Sequence, residues 1–244
     1  LEAATRLGFV PSQAARTLGA KQDSLLAVGL VIPHLIHPFF AEVTRGVYTA
    51  LRGMPVRLSL HVVFEDEKKS EELDLVLEEK KENALIIVAT ELSENQERTI
   101  TDRGIRTVLV DTPHARLPFV AVDNRRGGKL AADHLVSLHP AGMAWCGDAY
   151  RSRQAIEREE SFLERAKALG RDDILVRHCH IKPDDLDRTL GMLLEELPQP
   201  AGIAFHSDLM AYRALELCRR RGLIPGEDIH LLGYDDLPQT GLLG

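Results

Sequence analysis

Phe39, Phe40, Asp123, Arg151, Arg153, Asp208 and Asp235 each follow a short apolar run. An open α/β sheet binds its ligands outside the carboxyl ends of its strands, so these side chains are the first to question for chemistry. Phe39 and Phe40 follow the run Leu25–Ile32, and either ring can stack on a ring or a sugar face. Phe40 is also in phase with Val43 and Val47, which argues for a place in the core. Asp123 follows Val122 and can accept hydrogen bonds from a hydroxyl, or equally cap the next helix. Arg151 and Arg153 follow the run Met143–Gly147, where guanidinium groups can clamp an anionic or polyhydroxyl ligand; a solvated loop is the even alternative. Asp208 precedes a helical stripe from Leu209 and is expected to cap it, with ligand contact as the second role. Asp235 follows Tyr234 at a strand end, and ligand binding is its favoured role.

Enzyme signatures are poor. No G-x-S-x-G is present, and the pair Gly128-Lys129 lacks both the upstream Gly and the following Ser or Thr of a phosphate-binding loop. His178-Cys179-His180 places two imidazoles on one strand face, but no third ligand stands at a useful spacing, so a half-buried strand is the favoured reading over a metal pair. Glu157, Glu159 and Glu160 read as a solvated helix face. Three cysteines, Cys146, Cys179 and Cys218, form no C-x-x-C pair and fit reduced thiols in a cytoplasm. No catalytic residue, cofactor or metal is expected.

These positions are set on an alternating pattern. Val- and Ile-rich runs at Leu25–Ile32, Val56–Val63, Ala84–Ala89, Ile105–Val110 and Phe119–Val122 alternate with helical stripes such as Phe40, Val43, Val47, Leu51 and Leu73, Val76, Leu77. The scheme repeats with runs at Met143–Gly147, Ile174–Cys179, Gly202–His206 and Ile229–Tyr234, separated by helical stripes. Continuous apolar strands between amphipathic helices mean parallel sheets covered on both faces. The fold class is therefore α/β, with two doubly wound parallel-sheet subdomains and a break near Asp123, after the turn-rich Asp111–Pro118. Of the 244 residues, 44% are hydrophobic and 27% charged, an ordinary globular composition without a membrane-length apolar run. The chain opens without a basic region and apolar stretch, so no secretory signal is expected. Net charge is -7, which alone argues against a nucleic-acid binder. Residues 1–21, however, carry Arg6, Arg16 and Lys21 against Glu2, a net of three minus one or +2, which leaves -9 for the rest. A mildly basic arm on an acidic body suits a regulator whose body binds something other than DNA.

The first forty residues are the most specific. Leu7-Gly8-Phe9-Val10-Pro11-Ser12 precedes Ala14-Ala15-Arg16-Thr17-Leu18, then a polar linker from Gly19 to Ser24, then Ile32-Pro33 and Pro38-Phe39-Phe40. Pro11 ends a preceding helix, and Ser12 can cap a new one too short to stand alone. Further along come Val122-Asp123-Asn124, Gly127-Gly128, Arg158 with Phe162, Ser207-Asp208, Gly222-Leu223-Ile224-Pro225 and Gly233-Tyr234-Asp235-Asp236. In this order the motifs resemble the LacI/GalR family of bacterial transcription repressors over nearly the whole chain. Phe9, Ser12 and Thr17 are mild departures from the family pattern; His37 and Ser207 stand where Asn is usual.

The resemblance implies a periplasmic-binding-protein type I-like effector core behind the remnant of a helix-turn-helix headpiece. It divides the chain into 1–23 (end of headpiece and hinge helix), 24–122 and 123–236 (effector-binding subdomains) and 237–244 (start of a return crossover). Ala14, Ala15, Arg16 and Leu18 would meet operator DNA, with Leu18 wedging a base step in the minor groove and Arg16 near phosphates. By pattern alone Ala14, Ala15 and Leu18 fit an ordinary apolar helix edge. Arg158 would face the effector, against the local reading of a surface ion pair. The implied function is a repressor gated by a sugar-like or nucleoside-like effector held between the subdomains. A homodimer is implied, with the helices around Phe39–Leu51 and Leu73–Leu77 as candidate interface elements. The alternatives are a periplasmic-type sugar-binding protein without a DNA role and an α/β enzyme.

Overall fold

The computed structural model describes residues 25–35, 37–63, 69–79 and 81–238; the hinge candidates Ala14, Ala15, Arg16 and Leu18 lie outside them. The chain divides into two compact units, one ending at Val120 and one starting at Ala121.

The first unit is built on β1 (Leu26–Ile32), α1 (Pro38–Leu51), β2 (Val56–Val62), α2 (Lys69–Glu78), β3 (Ala84–Val88), α3 (Glu94–Asp102), β4 (Arg106–Val110) and β5 (Phe119–Val120). Its five strands are all parallel, in the order β2-β1-β3-β4-β5. β1 sits inside this sheet, with Leu30 opposite Leu60 on one side and Ile86 on the other. Burial on both faces explains its unbroken apolar sequence. α1 starts at Pro38, whose ring fixes the first helical φ, and His37 Nδ1 accepts from the Phe39 N–H at 3.3 Å. In α2, Leu73 and Leu77 are buried in the core and Val76 packs against it.

Helix α3 is absent from the periodicity reading for a plain reason: Ile100 is the one apolar residue in Glu94–Asp102. Its signal is local. Ser93 Oγ accepts from the Gln96 N–H at 3.3 Å and Gln96 Oε1 accepts from the Ser93 N–H at 2.9 Å, a reciprocal capping box.

The second unit comprises α4 (Asn124–Ser137), β6 (Gly142–Asp148), α5 (Arg153–Ala168), β7 (Leu175–Cys179), α6 (Pro183–Glu196), β8 (Ala201–Phe205), α7 (Asp208–Arg220) and β9 (Ile229–Leu232). Four parallel strands run β7-β6-β8-β9. Alternation along β6 serves two cores. Met143 and Trp145 join Leu135 and Phe162 under α4 and α5, while Ala144 and Cys146 join Leu190 and Met210 under α6 and α7. α4 and α5 meet closely at Gly128, where a Cβ would stand 2.3 Å from the Arg158 carbonyl oxygen. Both sheets are doubly wound, as expected from the alternating pattern. The chain leaves β1 and β6 toward opposite neighbours, so the switch points lie at the carboxyl ends of β1/β3 and β6/β8. Among the described residues no helix is long and apolar enough to cross a membrane.

Candidate functional site at the strand ends

Arg158 is the centre of the second unit's strand-end cluster. It leaves α5 in the helix's second turn and is only 7% exposed. Its Nε donates to Asn124 Oδ1 at 2.8 Å, and its Nη1 donates to the His206 carbonyl at 2.8 Å and to Asp235 Oδ1 at 3.4 Å. The guanidinium carbon lies 3.6 Å from the centroid of the Tyr234 ring, a cation–π contact. Nη2 has no hydrogen-bond partner among the described residues. The local reading of Arg158 as a surface ion pair fails: its side chain and that of Asp235 are both buried.

The partners arrive from separate elements. Asn124 opens α4, His206 follows β8, and Tyr234 and Asp235 follow β9. Asp235 (φ 105°) and Asp236 (φ 52°) both adopt left-handed backbone, an unfavourable conformation for a residue with a Cβ, and one that concentrates at functional sites. Tyr234 can lie beside α4 because position 127 is glycine; a Cβ there would stand 2.1 Å from its hydroxyl.

Asp208 does not cap its helix. α7 begins at Asp208 itself, with Ser207 in the cap position, and the Ser207 side chain makes no capping bond. The Asp208 N–H donates to the Tyr234 carbonyl at 2.7 Å, and its carboxylate accepts from the Leu237 N–H at 2.8 Å. Asp208 therefore clamps the segment carrying Tyr234 and Asp235. Asp123 does cap: its Oδ1 accepts from the Arg126 N–H at 2.9 Å at the start of α4. Arg153 is exposed and pairs with Glu157 one turn on, at 3.0 Å.

Arg151 belongs to a second cluster. It has a left-handed φ of 47°, and its Nη1 lies 2.9 Å from His178 Nε2 and 3.4 Å from Glu159 Oε1. His178 Nε2 is in turn 2.6 Å from Glu159 Oε2. The expectation of a solvated face at Glu159 is corrected here: the residue is buried, because α5 turns it toward β6 and β7 rather than outward. Glu160 does lie exposed, beside Arg125. His178, in β7, meets Glu159, and His180, which follows the strand, lies edge-on to Tyr150 at 5.0 Å.

In the first unit, Phe40 is buried with Leu30, Ile32 and Val88, and Phe39 packs against it edge-on at 5.2 Å. Asp111, at the end of β4, is buried with a left-handed φ of 60°, and the hydroxyl of neighbouring Thr112 is buried without a hydrogen bond among the described residues. Sequence reading missed both. Their one signal was position, directly after the strand Ile105–Val110.

A model of the periplasmic binding protein-like domain matches residues 132–243. The ribose operon repressor of Bacillus subtilis is 28% identical over 246 residues, covering 100% of this chain and 73% of that repressor. The transcriptional regulator GntR of Pseudomonas aeruginosa is 29% identical, covering 97% of this chain and 70% of its own length. Among solved structures, a LacI family regulator from Enterococcus faecium with bound ribose superposes with a TM-score of 0.78 at 20% identity, covering 88% of this chain and 80% of that one. Motif order, doubly wound fold and relatives agree: the chain carries a periplasmic-binding-protein-like domain and is similar along its length to transcriptional regulators of the LacI/GalR type.

Proposed function

We propose that this chain is the effector-binding part of a repressor, and that its effector is a sugar-like molecule held at the strand ends around Arg158 and Asp235. The observation that supports this reading is the state of Arg158. Three protein acceptors and an aromatic face hold a buried guanidinium in place, while its Nη2 keeps its donors unspent. A preorganised donor beside a buried carboxylate suits a ligand that both donates and accepts, as neighbouring hydroxyls do. The ribose operon repressor and the ribose-bound regulator, by their names, deal with such a molecule. Asp208 acts through the segment it clamps. In the first unit Phe40 serves packing, and Phe39 lies against that core.

Effector-binding subdomains at 24–122 and 123–236 follow the two units closely. Operator binding rests with the arm at Ala14, Ala15, Arg16 and Leu18, acting as a pair in a homodimer. The test is a thermal-shift screen with sugars, sugar phosphates and nucleosides. A ligand at a hundredfold its dissociation constant stabilises by about 2.7 kcal/mol. A stabilising sugar whose effect shrinks by about half or more in Asp235→Ala is the expected result. Stabilisation by nucleosides alone would reassign the ligand class.

A further inference from the structure

We infer that Arg151 is an anion-binding group of this effector site, held in place by Glu159, which His178 orients, and that the effector therefore carries a carboxylate or phosphate besides its hydroxyls. The inference rests on the reading of the strand ends as the effector site.

Three observations carry it. First, Arg151 is tethered at one corner only. Nη1 meets His178 and Glu159, whereas Nε and Nη2 make no hydrogen bond among the described residues. That unoccupied edge is the planar fork that binds carboxylate or phosphate through two parallel N–H bonds. Second, the tether is costly. Glu159 is 8% exposed, and burying a carboxylate requires compensation that a surface arginine with no task would not need. His178 Nε2 cannot donate to Glu159 and accept from Arg151 at once. The 2.6 Å contact to Glu159 takes its proton, so one carboxylate faces two basic side chains and the positive charge of Arg151 points outward. Third, the backbone beneath is fixed. Ala149 N–H donates to the Cys179 carbonyl at 3.0 Å, Tyr150 N–H to Asp148 Oδ1 at 3.2 Å and Arg151 N–H to the Asp148 carbonyl at 3.2 Å. The left-handed φ of Arg151 is held within this turn.

Arg151 is thus a specificity group, and Glu159 and His178 are positioning residues. Neutral and anionic probes separate that role from a structural one. Calorimetry would compare D-ribose with D-ribose 5-phosphate, and D-glucitol with D-gluconate. In at least one pair the anion is expected to bind about tenfold to a hundredfold tighter, the worth of one charge-assisted hydrogen bond. Arg151→Gln should bring that ratio close to one, and Glu159→Gln should reduce it while the protein stays folded by circular dichroism. Arg151→Lys should restore the ratio only in part, because it returns the charge without the fork. A winning D-gluconate assigns a carboxylate and a winning D-ribose 5-phosphate assigns a phosphate. Equal affinity within both pairs, or a ratio that survives Arg151→Gln, would overturn the inference and leave the sugar site standing. No stabilisation by any sugar, neutral or anionic, would remove the site reading itself.

Discussion

At Arg158 a charge is buried without a single dominant partner: an amide, a carbonyl, a carboxylate and a ring share it. Removing the carboxylate therefore leaves the guanidinium held, and the loss falls on the ligand. Asp235→Ala should weaken effector binding about tenfold to a hundredfold, since a hydrogen bond to a charged group is worth roughly 1.5–3 kcal/mol. Calorimetry with the best ligand of the screen decides; unchanged affinity in both Asp235→Ala and Arg158→Ala would place the site elsewhere. The same residues mark the limit of what sequence shows. Arg158 and Asp235 could be picked out by motif and by position after a strand. The pairing of Asn124 and His206 with Arg158 could not, because they meet it across 34 and 48 residues of chain. Glu159 was misplaced for a related reason: a run of acids looks solvated until the turn of α5 is known. The thiols make a separate case. Cys146 and Cys179 lie with their Sγ atoms 3.9 Å apart. The Cys146 thiol is pushed well above the ordinary range by its bond to Cys179 and by burial, and that same bond pulls Cys179 down. Burial also raises Cys218. All three thiols are buried, so alkylation should be slow in the folded protein and fast once urea unfolds it, read by peptide mass spectrometry. Rapid labelling of any of the three in the folded protein would contradict this burial.

Elements were legible wherever apolar periodicity defines them. The strands announced themselves because a parallel strand buried on both faces has no polar face to confuse the pattern. α3 was invisible to that test, since one isoleucine is no stripe, and its capping box is the feature that places it. Ser93→Ala should cost about 1 kcal/mol in urea denaturation, the usual worth of an N-cap. A change below a few tenths would mean that tertiary packing, not the cap, holds this helix. Glycines offer a sharper contrast between elements. A methyl group at Gly128 would meet the Arg158 carbonyl, which cannot rotate away, so α4 and α5 would have to separate. Gly128→Ala should cost about 1–3 kcal/mol, as overpacking does, and should also weaken effector binding by displacing Arg158. At Gly46, in α1, a Cβ would meet nothing within 4 Å. Gly46→Ala should instead stabilise by about 0.5–1 kcal/mol, the helix-propensity gain. Melting curves of the two variants moving in the same direction would refute the contrast.

For the whole molecule the question is how a chain of net charge -7 would serve DNA. In the repressor proposed above, the arm at residues 1–21, of net charge +2, would supply the attraction, and two arms would match a near-palindromic operator only if two chains pair. The first unit offers a face for that. β2 is a sheet edge among the described residues, carrying Leu60, with Tyr48 on α1 and Leu35 in the loop before it; they are 45%, 65% and 59% exposed. An uncovered sheet edge flanked by apolar side chains is a liability that pairing removes. A second copy is the occupant proposed here, because a near-palindromic operator calls for a two-fold pair. Tyr48→Arg combined with Leu60→Lys should convert the dimer to a monomer by light scattering. Both side chains are exposed, so the fold should persist by circular dichroism, and ligand affinity at the second unit's strand ends should change little. In a protein carrying a DNA-reading headpiece upstream, the same pair of substitutions should weaken operator binding, whereas Leu18→Ala should weaken it with the dimer intact. A dimer that survives the double substitution would move the interface to another face and leave the wedge to be judged on Leu18 alone.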